Sequence, residues 1–365
     1  MGTGLAQPTP DQLEVTVIGP GYGESSVVHV GGGEWVIIDS CRDSSTGEAA
    51  PLAYLRSIGV DVSRAVKLVV ASHWHDDHIR GLAEVVRACG SAKFCCAAAL
   101  GSTEFLANII PYDNRHMIEA GSGASEIIEI LNLLRSPAAK RPAVRAIANG
   151  RILALHGVEV WALSPSHGQF DKFLQEIGKL VPIVGVTKHR IPDQGPNHLS
   201  VVVWIKCGDV SMLFGGDLEE TTDPETGWSV IVSSTERPAG RASIFKIPHH
   251  GSKNAHNDNV WREMLVDQPH AALTPYNRGS KLPTQADVAR IVGLTGNSYS
   301  TANTLLQNAK RPVAVEKEIK LTVKSIGTAQ HRTGATQFRN GGLKNPHVWT
   351  TKLFQSACPL TAFKA

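Results

Sequence analysis

The feature that most constrains this chain is residues 72–78 (SHWHDDH), which directly follow the apolar run 65–71 (AVKLVVA). A short, almost wholly apolar run is typical of a strand covered on both faces. Three histidines and two aspartates within residues 73–78 are dense for a surface loop, which is the simpler alternative. Imidazole nitrogens and carboxylate oxygens suit zinc and similar divalent ions. The sequence therefore predicts a metal site at the end of a buried strand.

The spacing within this segment divides the candidates between two ions. His73 and His75 stand two residues apart, so on an extended segment they point to the same side and can hold one ion. Asp77 and His78 lie at the turn into a predicted helix, Leu82–Ala88, and can reach a second ion nearby.

Other chemically unusual residues also follow apolar runs. Asp39 comes after residues 34–38, and Asp217 comes shortly after residues 210–214. A pair of histidines comes after residues 242–247. The remaining predicted strands are 12–18, 26–30, 151–155, 158–163 and 199–206, and the remaining predicted helices are 51–58, 103–110, 125–134, 259–266 and 284–292. Hairpins, then strand–helix units, then hairpins again indicate a layered α/β protein with two sheets.

The segment resembles the signature of the metallo-β-lactamase fold. His73, His75, Asp77 and His78 match its H-x-H-x-D-H motif. Three further stretches resemble the other sites of the fold in the same order along the chain, namely Ile37-Ile38-Asp39, residues 213–217 (LFGGD) and residues 247–252 (IPHHGS). The resemblance runs from about residue 12 to residue 292.

This resemblance implies a four-layer αββα fold, in which two packed mixed β-sheets are flanked by helices. It places one hydrolase domain at residues 12–300, with insertions at about 100–150 and 166–196, and leaves residues 301–365 as a basic C-terminal extension. The 365 residues suffice to bury such a core without disulfides.

Within the superfamily, the sequence is most similar to the hydrolase domain of the ComEC DNA-uptake channel and its free-standing relatives. The cues are residues 248–252 (PHHGS), the glycine-rich turn 19–23 followed by Glu24, and residues 197–200 (NHLS) before a valine-rich strand. Those relatives are associated with DNA degradation, so the resemblance implies cleavage of phosphodiester bonds. The membrane helices of the channel have no counterpart here, and its transport role is not carried over.

The resemblance also implies how the ions are held. His73 and His75 would bind one ion, Asp77, His78 and His250 would bind the other, and Asp217 would bridge them. Two ions roughly 3.5–4 Å apart lower the pKa of a shared water and stabilise charge on a phosphoryl oxygen. Zinc is the expected metal, with manganese as the alternative because carboxylates are present.

Catalytic roles follow from the same resemblance. Asp77 would be needed for turnover, and Asp39 would orient a ligand histidine or the water. His249 would either stack behind His250 or donate a proton to the leaving group. Of these two adjacent histidines, His250 is the expected ligand.

Two departures from the family pattern leave alternatives open. Many members have a histidine in an H-x-P-G-H-type turn where this chain has Pro196-Asn197-His198, so the third ligand of the first ion is His198, Asn197 or a water. ComEC-type sequences tend to have a histidine before a late proline, where this chain has residues 277–283 (NRGSKLP). Arg278 and Lys281 are expected to bind phosphate, with Asn197 as a further substrate contact; a surface basic pair is the alternative.

Charge is distributed unevenly along the chain. The net charge of +3 combines +8 in residues 301–365, which contain ten Lys/Arg and two Glu, with −5 in residues 1–300. A basic segment beside an acidic body fits a nucleic acid or nucleotide partner. The alternative is a solvated basic face that binds nothing.

Composition bounds the remaining possibilities. Six scattered cysteines without a C-x-x-C spacing predict buried reduced thiols rather than disulfides or a zinc ribbon. No apolar stretch is long enough to cross a membrane, and the N-terminus does not resemble a secretory signal, so we expect a cytoplasmic protein without a membrane partner. The oligomeric state is not predicted.

Three functions compete at this point. The first is a metal-dependent nuclease or phosphodiesterase. The second keeps the metals but hydrolyses a carbon ester such as a lactone or thioester, which predicts a small apolar pocket. The third is a catalytically silent subunit that binds nucleic acid, which predicts little tightly bound metal.

Overall fold

The first of two sheets is built from both ends of the chain. The computed structural model describes residues 6–101, 123–135, 141, 143–178, 196–279, 281–303, 312–322 and 332–364. In spatial order the strands are β15 (Trp349–Phe354), β14 (Gly334–Asn340), β1 (Glu14–Gly19), β2 (Ser25–His29), β3 (Trp35–Ile38), β4 (Val66–Val70), β5 (Lys93–Ala97) and β6 (Val144–Ala146). Pairing is antiparallel from β15 to β3 and parallel from β3 to β6.

The second sheet mirrors this arrangement. Its strands, in spatial order, are β16 (Cys358–Pro359), β13 (Ser298–Ser300), β12 (Leu265–Leu273), β11 (Ala242–Lys246), β10 (Val210–Phe214), β9 (Val203–Cys207), β8 (Val158–Ala162) and β7 (Gly150–Leu155). Strands β10 to β13 run parallel, and the others pair antiparallel. Each sheet is therefore mixed, with a parallel block whose strand ends share one edge.

Helices flank the sheets. The described α-helices are α1 (Ala50–Ser57), α2 (Val62–Ala65), α3 (Asp76–Ile79), α4 (Leu82–Ala88), α5 (Gly123–Arg135), α6 (His167–Gly178), α7 (Gly227–Ser233), α8 (Gln285–Leu294) and α9 (Val313–Thr322). Helix α8 begins with a capping box, in which Thr284 accepts from the Asp287 amide and the Asp287 carboxylate accepts from the Thr284 amide. This architecture confirms the predicted α/β fold with two mixed sheets.

The two sheets share one hydrophobic core. Val17, Val36 and Val69 from the first sheet belong to the same buried cluster as Val203 and Met212 from the second. All six cysteines are free thiols, and five of them are buried, as predicted. In the described part of the chain, no helix combines the length and apolarity that crossing a bilayer requires.

One predicted helix was partly wrong. Residues 259–266 form only a single wide turn, Val260–Met264, before β12 begins at Leu265. Pairing with β11, in which Ala242 lies opposite Leu265, draws the chain into the sheet and buries Leu265 completely. The predicted helix 103–110 lies outside the described residues.

The chain after residue 301, predicted from the sequence to be a basic extension, contributes strands to both sheets. Strand β14 lies between β1 and β15, and the fully buried Phe338 packs into the common core. Arg339, one of the ten basic residues, ion-pairs with the buried Glu14 of β1. Part of the C-terminal basic charge therefore stabilises the fold.

We predict that a chain truncated after Asn303 does not fold, because β1 loses one of its two neighbours, β14, and the core loses Phe338. The truncated protein should be insoluble or lack a cooperative thermal transition by circular dichroism. Leu343→Ala, at a side chain 82% exposed in the same segment, is the control and should unfold like the wild type. A soluble, cooperatively folded truncation would contradict this prediction.

His29, a buried histidine in β2, is held in its neutral form. Its Nδ1 donates to the Gln12 carbonyl at 2.8 Å, and its Nε2 accepts from the Gly33 amide at 3.0 Å. Burial lowers the pKa of His29 to about 4. Between that value and the ordinary pKa near 6.5, the unfolded chain binds a proton that the folded chain excludes.

We therefore expect the free energy of unfolding to fall by about 3 kcal/mol as the pH drops from about 6.5 to 4, through His29 alone. His29→Gln, which keeps an amide donor and an acceptor, should remove this contribution. Urea denaturation of both proteins across this range measures the difference. Parallel pH profiles for the two would exclude His29 as the source.

Candidate metal centre

Strand ends from both sheets meet at one place. Ile38 at the end of β3 lies opposite Val70 at the end of β4, and Phe214 of β10 lies opposite Lys246 of β11. Because the carboxyl ends of parallel strands lie at one edge of a sheet, the residues that follow them emerge together. This geometry brings Asp39, residues 72–78, Asp217 and His250 to one buried seam between the sheets.

Asp39 organises the loop after β4. Its carboxylate accepts from the Ser72 amide at 2.7 Å, from the Ser72 hydroxyl at 2.6 Å and from His78 Nδ1 at 2.8 Å. Asp39 itself has a left-handed backbone, with φ at 61°. Since His78 Nδ1 is engaged by Asp39, the Nε2 atom is the one that faces the seam, which is how carboxylates fix ligand histidines.

Four side chains face one another across the seam. His78 Nε2 lies 3.2 Å from Asp217 Oδ1 and 3.5 Å from Asp77 Oδ2. His250 Nε2 lies 3.0 Å from Asp77 Oδ2 and 3.4 Å from Asp217 Oδ2. Ligand atoms placed tetrahedrally at about 2.0–2.1 Å from an ion are separated by roughly 3.4 Å. The four groups fit a single divalent cation.

Two of these atoms also indicate a cation site. His78 Nε2 and Asp217 Oδ1 are buried and make no hydrogen bond within the described residues. Buried polar atoms without partners cost free energy, so such atoms need an explanation. A cation between the two atoms would satisfy both.

The protonation equilibria of the four groups are strongly coupled. Burial opposes charge on His250, but the Asp217 and Asp77 carboxylates prevail and raise its pKa to about 10. The pKa of His78 is raised in the same way, and the imidazoles in turn lower the pKa of Asp217 and Asp77. Protons on the imidazoles therefore compete with a cation, and metal binding should release them.

A second set of nitrogens lies beside the first. His73 Nε2 and His75 Nδ1 are 3.1 Å apart, and the rings of His73 and His78 lie 4.2 Å apart. Burial, reinforced by the neighbouring His78 and His75, lowers the pKa of His73 well below its usual value. His73 is thus held neutral, which is the form that binds a metal.

A family model decides the classification. The model of the metallo-β-lactamase superfamily matches residues 18–260, a span that contains Asp39, the segment 72–78, Asp217 and His250. The chain belongs to the metallo-β-lactamase superfamily. Proteins of this superfamily use divalent metals, in agreement with the close approach of Glu24, His78, Asp217 and His250 in the seam.

Solved structures of the superfamily resemble the chain at low identity. The metallo-β-lactamase fold protein YhfI from Bacillus subtilis is 14% identical to this chain. The alignment covers 64% of this chain and 70% of that one, with a TM-score of 0.35. MEM-A1, a subclass B3 metallo-β-lactamase from a soil metagenome library, is 14% identical over 68% and 80% of the two chains, with a TM-score of 0.35. A metallo-β-lactamase with a HARLDQ motif from Cronobacter sakazakii is 14% identical over 63% and 73%, with a TM-score of 0.34. No curated protein sequence matches the chain.

The adjacent histidines of this superfamily member occupy different positions. Both have left-handed backbones, with φ at 46° and 53°. His250 is buried, and its Nδ1 donates to the Thr274 carbonyl at 2.9 Å, which leaves Nε2 for the seam. His249 is partly exposed and lies near Asn254 Oδ1 at 2.9 Å and Glu219 Oε1 at 3.3 Å.

Two residues are candidates for the third ligand of the first ion, which the sequence left open. Asn197 lines the cavity above the seam, and its Nδ2 donates to Glu219 Oε1 at 2.8 Å. His198 is not among the lining residues described, but its Nδ1 is buried without a hydrogen-bond partner in the described chain. The structure thus brings Asn197, rather than His198, to the cavity wall.

A buried ion pair supports the metal site from behind. Lys246, only 2% exposed, places Nζ 2.5 Å from Glu24 Oε1 and 4.0 Å from Asp217 Oδ1, and donates to the Gly216 carbonyl at 3.2 Å. The other Glu24 oxygen accepts from the Thr274 hydroxyl at 2.6 Å.

Glu24 comes close enough to count as a potential ligand. One ligand atom from each of Glu24, His78, Asp217 and His250 lies within 4.8 Å of the others. However, Glu24 approaches the Nδ1 sides of both histidines, at 3.5 Å and 3.9 Å, and is occupied by Lys246 and Thr274. These contacts assign Glu24 to holding the ligands in place.

A cavity of about 630 Å³ opens directly above the seam. Its lining includes His75, Asp77, Asp217, His249 and His250 as well as three aromatic residues, Tyr22, Trp74 and Tyr276. The Tyr276 ring lies 5.1 Å from the His250 ring, and the Arg278 guanidinium lies 3.7 Å from the centre of the Tyr22 ring. Arg278 and Lys281 belong to one loop, and neither is among the residues that line the cavity, although their neighbours Gly279 and Leu282 are.

Sequence reasoning did not assign roles to Lys246, Thr274, Tyr22 or Tyr276. Lys246 carries a usable signal, because a lone lysine at the end of an otherwise apolar strand needs a buried partner. The two tyrosines carry no comparable signal, since only the folded chain brings their loops together.

The adjacent histidines offer a matched test of the cluster. We predict that His250→Ala lowers the divalent metal bound per chain by about one, because one of the four groups in the seam is lost. His249→Ala should leave metal content unchanged. Metal analysis after equilibration with zinc and removal of free ions measures this, with circular dichroism to confirm folding. The reverse pattern would move the site to His249.

Proposed function

We propose that the protein is a metal-dependent hydrolase that cleaves phosphodiester bonds of nucleic acid or nucleotides. The observation that carries the proposal is the pair of ligand sets, side by side in a buried seam, at the floor of an open cavity. Zinc is the metal we favour, because the ligands are rich in imidazole, with manganese as the alternative.

The residues divide between two ions as follows. His73 and His75 would hold the first, with Asn197, His198 or a water completing the set. Asp77, His78 and His250 would hold the second, and Asp217 would lie between the two. When bound, the ions would supply Lewis acidity toward the substrate and lower the pKa of a water at the site.

The chain's own groups supply orientation and a proton. Asp39 and the Thr274 carbonyl each accept a hydrogen bond from a ligand histidine and fix its ring. His249 lies on the cavity wall, where Asn254 and Glu219 orient its Nδ1. Its Nε2 is near Asn197 at 3.4 Å, and we assign His249 as the donor of a proton to the leaving group.

Charge supports a phosphodiester substrate. The net charge of +8 in residues 301–365 would attract a polyanion. The resemblance to ComEC-type domains points in the same direction. These features support nucleic acid as the partner more than a neutral ester.

A carbon ester is the competing substrate. The aromatic side chains in the cavity, Tyr22, Trp74 and Tyr276, favour it because apolar walls suit a lactone or thioester. The two candidate substrates differ in how their binding responds to salt. Binding of a nucleic acid weakens as the salt concentration rises, whereas binding of a neutral ester does not depend on salt in this way.

We predict that the metal-loaded protein hydrolyses bis(p-nitrophenyl) phosphate and at least one of single-stranded DNA, double-stranded DNA, RNA and cyclic dinucleotides, but not lactones or thioesters. Asp77→Asn should reduce kcat by about a thousandfold or more, because a ligand in the seam is lost. Initial rates with matched metal loading measure both.

Asp258→Asn is the matched control, since Asp258 pairs with His256 at 2.9 Å outside the cavity. That variant should keep wild-type rates. Hydrolysis of lactones alone would replace the proposed substrate, and a protein that binds metal but turns over nothing in the panel would exclude the proposed activity.

A further inference from the structure

One loop carries a cation to the rim of the cavity. The loop is closed by a backbone bridge in which Tyr276 and Leu282 exchange hydrogen bonds of 2.8 Å and 3.0 Å. The Asn277 amide donates to the Gly21 carbonyl at 3.0 Å, which fastens the loop to the glycine-rich turn before β2. Gly279 and Leu282 line the cavity. The loop is therefore anchored at its base on the side of the metal centre.

Arg278 lies flat on an aromatic platform within this loop. Its guanidinium carbon is 3.7 Å from the centre of the Tyr22 ring, a stacking distance. The Tyr22 ring is 5.6 Å from Tyr276, which in turn lies 5.1 Å from His250. A continuous row of rings thus connects the arginine to a residue of the metal cluster.

The charge on Arg278 is not used by the fold. Within the part of the chain that the structure describes, its guanidinium makes no ion pair or hydrogen bond, and the side chain is exposed. Arg80, the other cation near Tyr22 at 5.7 Å, pairs with Asp76 at 3.2 Å instead. Stacking engages only the face of a guanidinium and leaves its edge of N–H donors available to an anion.

The phenols beside Arg278 are donors as well. Burial and the nearby Asp77 raise the pKa of Tyr22 to about 12, and burial also raises the pKa of Tyr276. Both hydroxyls stay protonated at neutral pH and can donate to phosphate oxygens. Tyr22 and Tyr276, which line the cavity, and Arg278 stacked beside them therefore supply hydrogen-bond donors and one positive charge next to the cavity.

We propose that Arg278, stacked on Tyr22, binds the phosphate next to the scissile one, so that the preferred substrate is an oligonucleotide carrying at least two phosphates. The inference rests on the proposed function. A substrate with a single phosphodiester would occupy the metal centre and leave Arg278 without a partner. A neighbouring phosphate would meet the planar fork that suits bidentate recognition.

The test compares substrates that differ only in the neighbouring phosphate. These are the dinucleotide TpT and its phosphorylated forms pTpT and TpTp, with UpU, pUpU and UpUp as the RNA arm. We expect the wild type to prefer one phosphorylated form over its parent by about tenfold or more in kcat/KM, the range of a lost charge-assisted contact. In Arg278→Ala this preference should fall to about twofold or less, because the rate on the phosphorylated substrate falls more than the rate on the parent.

Two further variants separate the charge from a general effect. Tyr22→Leu removes the platform and should also reduce the preference. Arg151→Ala is the matched control, because Arg151 is an arginine lying over Trp161 at 5.7 Å on β7, outside the cavity. It should leave the preference intact. The DNA and RNA arms show which polynucleotide supplies the phosphate.

The outcomes distinguish the two levels of the proposal. If the wild type cleaves TpT and its phosphorylated forms equally, or if Arg278→Ala changes all rates by the same factor, the phosphate subsite is excluded while the phosphodiesterase stands. If the wild type cleaves none of these substrates or bis(p-nitrophenyl) phosphate, the proposed function itself is excluded.

Discussion

The structure depends on balancing four buried carboxylates at the seam between the two sheets. Glu24, Asp39, Asp77 and Asp217 are each at most 5% exposed. Isolated charges in such surroundings would cost several kcal/mol each, so they persist only with partners. Lys246 supplies one positive charge, and the raised pKa values of His78 and His250 supply two more in the absence of metal. Two divalent cations in place of those two protons would change the net charge of the seam from negative to positive.

The same interactions join the two halves of the fold. Glu24 and His78 follow strands of the first sheet, whereas Lys246 ends β11 of the second sheet and Asp217 and His250 follow β10 and β11. The Glu24–Lys246 pair, at 2.5 Å, crosses the seam directly behind the metal ligands. Breaking one partner of a buried pair is costly, since the other is left uncompensated. The site is thus held in shape by the protein before any cation arrives.

The sequence predicted the residues that meet in the seam better than the residues that hold them in place. Residues 72–78 stand out because their density depends only on local spacing, and Asp39, Asp217 and His250 could be found because each follows an apolar strand. Thr274 and Tyr276 acquire roles only when separate strand ends meet, which local patterns do not encode, whereas Lys246 has a local signal as a lysine at the end of an apolar strand. Strand β12 was not predicted from the sequence for a related reason. Asp267, Gln268 and Pro269 interrupt its apolar pattern, but pairing with β11 keeps these residues in the strand.

The charge of the seam determines the order in which cations and an anionic substrate bind. Without cations, the four carboxylates of the seam exceed by one the positive charges of Lys246, His78 and His250, so the cavity floor does not attract phosphate. Once cations fill the seam, the floor becomes attractive and Arg278 adds a second point of attachment further out. An anionic substrate should therefore follow the metal, and its orientation would be set by two positive centres separated by the row from His250 to Tyr22. Binding of a neutral ester would depend neither on this order nor on the second positive centre. The effect of a neighbouring phosphate on the rate therefore distinguishes a phosphodiesterase from a carbon-ester hydrolase.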